Sequence, residues 1–123
     1  MATLLIQVSY KPEAWAAQIK SQANVLDRAT PSAVRLGGRI IGLWYALGES
    51  DLIGIVEFPT QEAAAAWSVL ITSGGAVAKW ATTALLTVEE GISALALAHG
   101  ALGSYVSPVP PAEASSREPL LGA

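Results

Sequence analysis

Ala46-Leu47-Gly48-Glu49-Ser50-Asp51-Leu52-Ile53-Gly54-Ile55-Val56-Glu57-Phe58-Pro59 is the stretch on which the fold turns. Gly48 to Ser50 makes a tight turn between two apolar runs. Arg39 to Leu47 reads as the strand before it, with Ile41, Leu43, Tyr45 and Leu47 on one face and Ile40, Gly42, Trp44 and Ala46 on the other. Neither face is polar, so both are expected to be covered. Asp51 or Leu52 opens the strand after the turn, which runs to Phe58, and Pro59 ends it. Thr60 then serves as an N-cap, with Glu62 at the positive end of a new helix. That helix continues from Ala63 to Leu70, its buried stripe expected at Ala63, Trp67, Leu70 and Ile71, and Ser73-Gly74-Gly75 stops it.

Upstream, Thr3 to Tyr10 reads as a first strand, with Leu4, Ile6, Val8 and Tyr10 facing one way and Leu5, Gln7 and Ser9 the other. Lys11-Pro12 ends it and starts a helix in which Trp15, Ile19, Gln22 and Leu26 follow helical spacing. Thr30-Pro31 restarts a short helical piece that Gly37-Gly38 stops. Downstream, Val77 to Val88 reads as a fourth strand, favoured by Thr82, Thr83 and Thr87. Glu89 to Leu102 reads as a further helix, with Ile92, Leu95, His99 and Leu102 on one stripe. From Ser104 the composition becomes that of a linker: three prolines between Ser107 and Pro111, then Ala112 to Ser116. The expected organisation is a domain over residues 1–103 and a tail over 104–123.

The order β-α-β-β-α-β is the ferredoxin-like split arrangement, an α+β fold. Right-handed crossovers place the helices on one face of a four-stranded antiparallel sheet. The other face is largely apolar here, which predicts a second copy of the sheet packed against it as a dimeric α/β barrel.

Composition points the same way. Apolar residues make up 52% of the 123 residues and charged residues 14%, against about 25% charged in typical soluble domains. So little charge leaves apolar surface to be buried between subunits, and a homodimer or a higher even oligomer is expected. No apolar run reaches the roughly 18 residues of a membrane span. The net charge of −3, with seven scattered basic residues, argues against nucleic acid. The absence of cysteine excludes disulfides, thiol chemistry and cysteine-held metal clusters. No secretory signal stands at the N-terminus, so a cytoplasmic location is the expectation.

Leu36-Gly37-Gly38-Arg39, the Gly48-Glu49-Ser50-Asp51 turn, Ile55-Val56-Glu57 with Pro59, and Thr82 to Thr87 together resemble the GYD family, small bacterial proteins named for a Gly-Tyr-Asp signature. The resemblance runs from Leu4 to about Glu90. Gly48 and Asp51 match the signature, while Ser50 stands where its tyrosine belongs. The resemblance implies the dimeric α/β-barrel superfamily and brings no settled activity.

The candidate site residues each carry a plain reading beside a functional one. Asp51 either bonds turn amides, with Gly48 supplying a permissive backbone, or places a carboxylate at a pocket rim. Glu57 interrupts an apolar strand and calls for a partner, Lys79 or Arg39, unless it acts as a base. His99 is the one histidine. It suits the C-terminus of its helix and has no carboxylate at helical spacing before it, so no metal site is expected. Trp15, Trp44, Trp67 and Trp80 either fill the core where alanine leaves space or, with Tyr10 and Tyr45, line a pocket for a small apolar or aromatic ligand. No phosphate loop or nucleophile elbow is present, and no cofactor is expected.

Three functions fit this reading. The first is a homo-oligomeric module that binds a small ligand or another protein and carries no identifiable catalytic constellation. The second is a cofactor-independent monooxygenase-like or isomerase-like enzyme acting on an aromatic or polyketide-like substrate, which rests on the superfamily resemblance. The third is a scaffold or cargo protein recruited through a docking peptide at residues 117–123.

Overall fold

The computed structural model describes residues 1–109. Its elements are β1 (Ala2–Tyr10), α1 (Pro12–Ser21), α2 (Val25–Arg35), β2 (Arg39–Tyr45), β3 (Leu52–Phe58), α3 (Gln61–Thr72), β4 (Val77–Leu85) and α4 (Val88–Gly100). The four strands form one antiparallel sheet in the order β2-β3-β1-β4. The first helical segment and α3 are the two crossovers, so the chain has the ferredoxin-like split arrangement. Contacts divide the chain into two units, Met1–Leu86 and a second that begins at Thr87.

The period-two pattern of the strands decides which face the helices cover. Val8 pairs with Leu52 and Trp80, and Leu4 with Val56 and Ala84, so these residues share a face. On it lie the buried Leu4, Ile6, Val8, Leu52, Val56 and Phe58, which cluster with Ala33 of α2 and with Ala64 and Trp67 of α3. Trp67 is 1% exposed and stands 5.4 Å from the Phe58 ring and 5.7 Å from the Trp80 ring. The far face carries Leu5 and Gln7 of β1, Ile53, Ile55 and Glu57 of β3, and Trp44 of β2.

Four expectations are corrected. The register of β2 slips between Ile40 and Gly42, so Ile40 joins Leu43 and Tyr45 on the helix face and Ile41 is left half exposed. One bulged residue shifts the alternation that strict periodicity predicts. The helical region is two helices, broken where Gln22 adopts a left-handed φ of 53° and Asn24 caps α2 by accepting from the Leu26 N–H at 2.8 Å. Ile19 and Leu26 are exposed as a result. Pro31 lies inside α2 and starts nothing. Its ring forfeits one intrahelical bond, which the packing of Ala33 and Ala29 on the sheet outweighs. Leu70, expected in the stripe of α3, is 53% exposed, and Ala64 takes the buried place beside Trp67. Finally β4 stops at Leu85. Thr87 caps α4 in a reciprocal box: its Oγ1 accepts from the Glu90 N–H at 3.1 Å and its own N–H donates to Glu90 Oε1 at 2.9 Å. A local cap outcompetes the β preference of Thr87 and Val88.

Gly37-Gly38 does close α2. Gly37 has φ 80°, its N–H donates to Val34 O at 2.9 Å, and the Gly38 N–H donates to Ala33 O at 2.8 Å. This is the paired 5→2 and 6→1 bonding of a Schellman end. Gly38 cannot be replaced, since a Cβ there would sit 2.4 Å from the Phe58 ring.

In the second unit α4 has no buried residue, and Ile92, Leu95 and Leu102 are all exposed. His99 lies in its last turn, where a cation meets the helix dipole favourably. No helix among the described residues is long and apolar enough to cross a membrane. The tail expected to dock a partner, residues 117–123, lies outside the described residues.

Candidate ligand-binding site

The helices that cover the sheet are poor in bulk where they cross it. Ala14 and Ala17 of α1 and Ala29 of α2 turn alanine methyls toward strands that carry Ile6, Val8, Leu43 and Leu52. No residue of α1 is buried. The result is a cavity of about 520 Å³ between sheet and helices, within the range of small-molecule sites. Trp67 and Ile71 of α3, with Trp80 and Val77 of β4, close another side.

Two of its polar groups, Arg28 and Ser32, share one stripe of α2. Val25, Arg28, Ala29 and Ser32 line the cavity at the i, i+3, i+4, i+7 spacing of one helix face. Ser32 Oγ accepts from the Trp67 indole N–H at 3.0 Å and donates to Ala29 O at 3.0 Å, so the buried indole is satisfied. Arg28 Nη2 donates to Gln18 Oε1 at 3.1 Å. Tyr10 reaches into the same corner from the end of β1. Burial pushes its phenol above the ordinary value of 10.0, while the Arg28 guanidinium beside it works the other way through charge and a hydrogen bond. The phenol is therefore neutral, and a donor, at neutral pH.

Asp51 braces this wall from outside the cavity. Its Oδ2 accepts from the Tyr10 N–H at 2.9 Å and from the Trp15 indole at 3.3 Å. The Trp15 ring stands edge-on to Tyr10, with centroids 5.2 Å apart. The turn reading is thus corrected: the side chain of Asp51 bonds across the fold to β1 and α1, because the turn delivers it beside the end of β1. Gly48 has no positive φ, and a Cβ there would meet nothing within 4 Å, so the turn does not require a glycine at that position.

The sequence-derived candidates separate into three places. Tyr10, Trp67 and Trp80 come together in the cavity wall. Trp15 and Tyr45, with ring centroids 6.1 Å apart, line a second and more open hollow of about 500 Å³ next to it. Trp44 and Glu57 lie on the far face of the sheet, away from the cavity. The Trp44 ring rests on Gly42, where a Cβ would meet it at 2.6 Å. Glu57 Oε1 takes Arg39 Nε at 2.7 Å, across a directly opposed strand pair. Of its two expected partners, Arg39 is the one it meets.

Arg28, Gln18 and Ser32 escaped the sequence reading. The signal that finds Arg28 and Ser32 is the Asn24 cap: starting α2 there puts Val25, Arg28, Ala29 and Ser32 on one stripe. Among the described residues, no group of three His, Asp or Glu side chains that could hold a metal ion assembles.

Comparison with known proteins agrees with this architecture. A search of curated proteins finds no match. The crystal structure of MtbAldR is similar at a TM-score of 0.53 and 17% identity, over 70% of this chain and 52% of that one. This chain thus spans about half the length of MtbAldR, and at that identity the likeness speaks for the fold alone. The GYD domain profile matches residues 4–95. That match takes in β2, β3, β4 and all but the first two residues of β1, with the Schellman end at Gly37-Gly38 and the Asp51 brace, and by it the chain belongs to the GYD domain family.

Proposed function

We propose that this GYD domain is a self-associating module that binds a small, largely apolar molecule between its helices and its sheet. The observation that carries the reading is the cavity itself. It has an apolar floor and roof, a polar corner at Tyr10, Arg28 and Gln18, and aromatic walls at Trp67 and Trp80. A few convergent polar groups in an apolar hollow are what orient a small ligand. Among the described residues none in the lining is a carboxylate, a histidine or a lysine, which supports binding and orientation as the role of the wall.

The far face is what supports self-association. Trp44 is half exposed there, on a strand whose partner carries Ile53 and Ile55. Pairing two such sheets face to face would bury that surface and complete a dimeric α/β barrel. Native mass spectrometry of the full chain tests both parts. An even-numbered oligomer carrying a discrete added mass is the expected result. A bare monomer would overturn the proposal.

A further inference from the structure

Among the described residues Arg28 is the one charged residue that lines the cavity. Among the described residues the one ion pair is Arg39–Glu57, and no carboxylate of those residues lies within salt-bridge distance of Arg28. Its polar neighbours are neutral, Gln18 by hydrogen bond and the Tyr10 phenol beside it. The guanidinium carries five N–H donors in a flat fork that matches a carboxylate bidentately. Gln18 occupies one of its nitrogens and holds the group at the edge of an otherwise apolar hollow.

Building on the small-molecule reading above, we propose that the cavity selects an apolar carboxylic acid in its anionic form. The carboxylate pairs with the Arg28 guanidinium and accepts from the Tyr10 phenol. The hydrocarbon body lies among Ile6, Val8, Leu52, Trp67 and Trp80. One cation with no second basic group beside it suits a monoanion, and phosphate esters carry more charge than this corner neutralises. An amine of the same shape would bring a second positive charge beside Arg28.

Three matched probes separate this inference from the cavity reading on which it rests. The full chain is titrated calorimetrically with octanoate, octanol and octylamine, and the same series is repeated on Arg28→Gln and Arg28→Lys. Octanoate is expected to bind at least about tenfold tighter than octanol, the scale of one charge-assisted hydrogen bond, with octylamine the weakest. Arg28→Gln should bring octanoate down to the level of octanol and weaken octanol far less than octanoate, while Arg28→Lys should keep part of the preference. Arg28 is exposed and outside the buried cluster, so neither variant threatens the fold. Equal binding of all three probes would overturn the anion inference and leave the cavity reading standing, as would a preference for octanoate that survives Arg28→Gln. Failure of all three probes would overturn both.

Discussion

The two faces of the sheet are built from nearly the same alphabet and meet different fates. Along β1, Leu4, Ile6 and Val8 are at most 7% exposed, whereas their neighbours Leu5 and Gln7 on the far side stay half-buried. Along β3, Leu52, Val56 and Phe58 vanish beneath α2 and α3, whereas Ile53 and Ile55 do not. Apolarity therefore does not report burial within one chain. On the helix face it supplies a core and leaves a cavity where alanines cross the strands. On the far face, among the described residues, it leaves Leu5, Ile53 and Ile55 only partly covered.

That contrast makes ranked predictions. Trp67→Ala removes the largest fully buried side chain and should cost about 3–5 kcal/mol in a denaturant unfolding titration. A loss below about 1 kcal/mol would mean that the helix face is not the true core. Asp51→Ala strips the acceptor from the Tyr10 amide and the Trp15 indole and should cost about 2 kcal/mol in the same assay. The far-face change Trp44→Glu should alter unfolding of the single chain by only about 0.5 kcal/mol, since Trp44 is 55% exposed. It should nevertheless drive the sedimentation mass toward the monomer. A fold lost as badly as with Trp67→Ala would erase the distinction between the faces. Arg39→Gln, which breaks a pair whose arginine is 70% exposed, should cost less than about 1 kcal/mol.

The smallest effect concerns pH and sharpens the picture of the cavity corner. Burial raises the Tyr10 pKa, so folding favours the protonated phenol. The stability this contributes is fully present below 10.0, the unfolded value, and is lost as pH rises through the higher native one. Unfolding midpoints should therefore fall with alkalinity above 10.0, and Tyr10→Phe should flatten that part of the slope. An unchanged slope would place the phenol in water rather than at the cavity wall.

Much of this was legible in the chain. Alternation in β1 named its buried face, the Leu52–Phe58 run and Pro59 bounded β3, and Thr60 marked the start of α3. Such features are local, set by side-chain periodicity and by which residue can satisfy a helix end. What went unread involves competition. Thr30-Pro31 looks like a helix start, yet Asn24 caps first and tertiary packing carries the helix through the proline. The bulge at Ile41 is a one-residue slip that no periodicity announces, since both readings of β2 put apolar residues on both faces.

The candidate site divides on the same line. The aromatic members Tyr10, Trp67 and Trp80 could be guessed from bulk on strands and helices. The meeting of Arg28 with Gln18 could not, because they sit on different helices and come together only through a left-handed residue at Gln22.

By itself, then, the amino-acid order determined the strand order, the Gly37-Gly38 helix end and a composition rich in apolar and poor in charged residues. These depend on propensity, sterics and composition, which act within a few residues or over the whole chain at once. The tertiary structure alone decided that Asp51 bonds β1 and α1, that Glu57 meets Arg39, and that alanines facing large strand residues leave a hollow with one guanidinium at its edge. Those outcomes depend on which distant side chains arrive in the same few ångströms, and that is set by the packing of helices on a twisted sheet rather than by any local pattern.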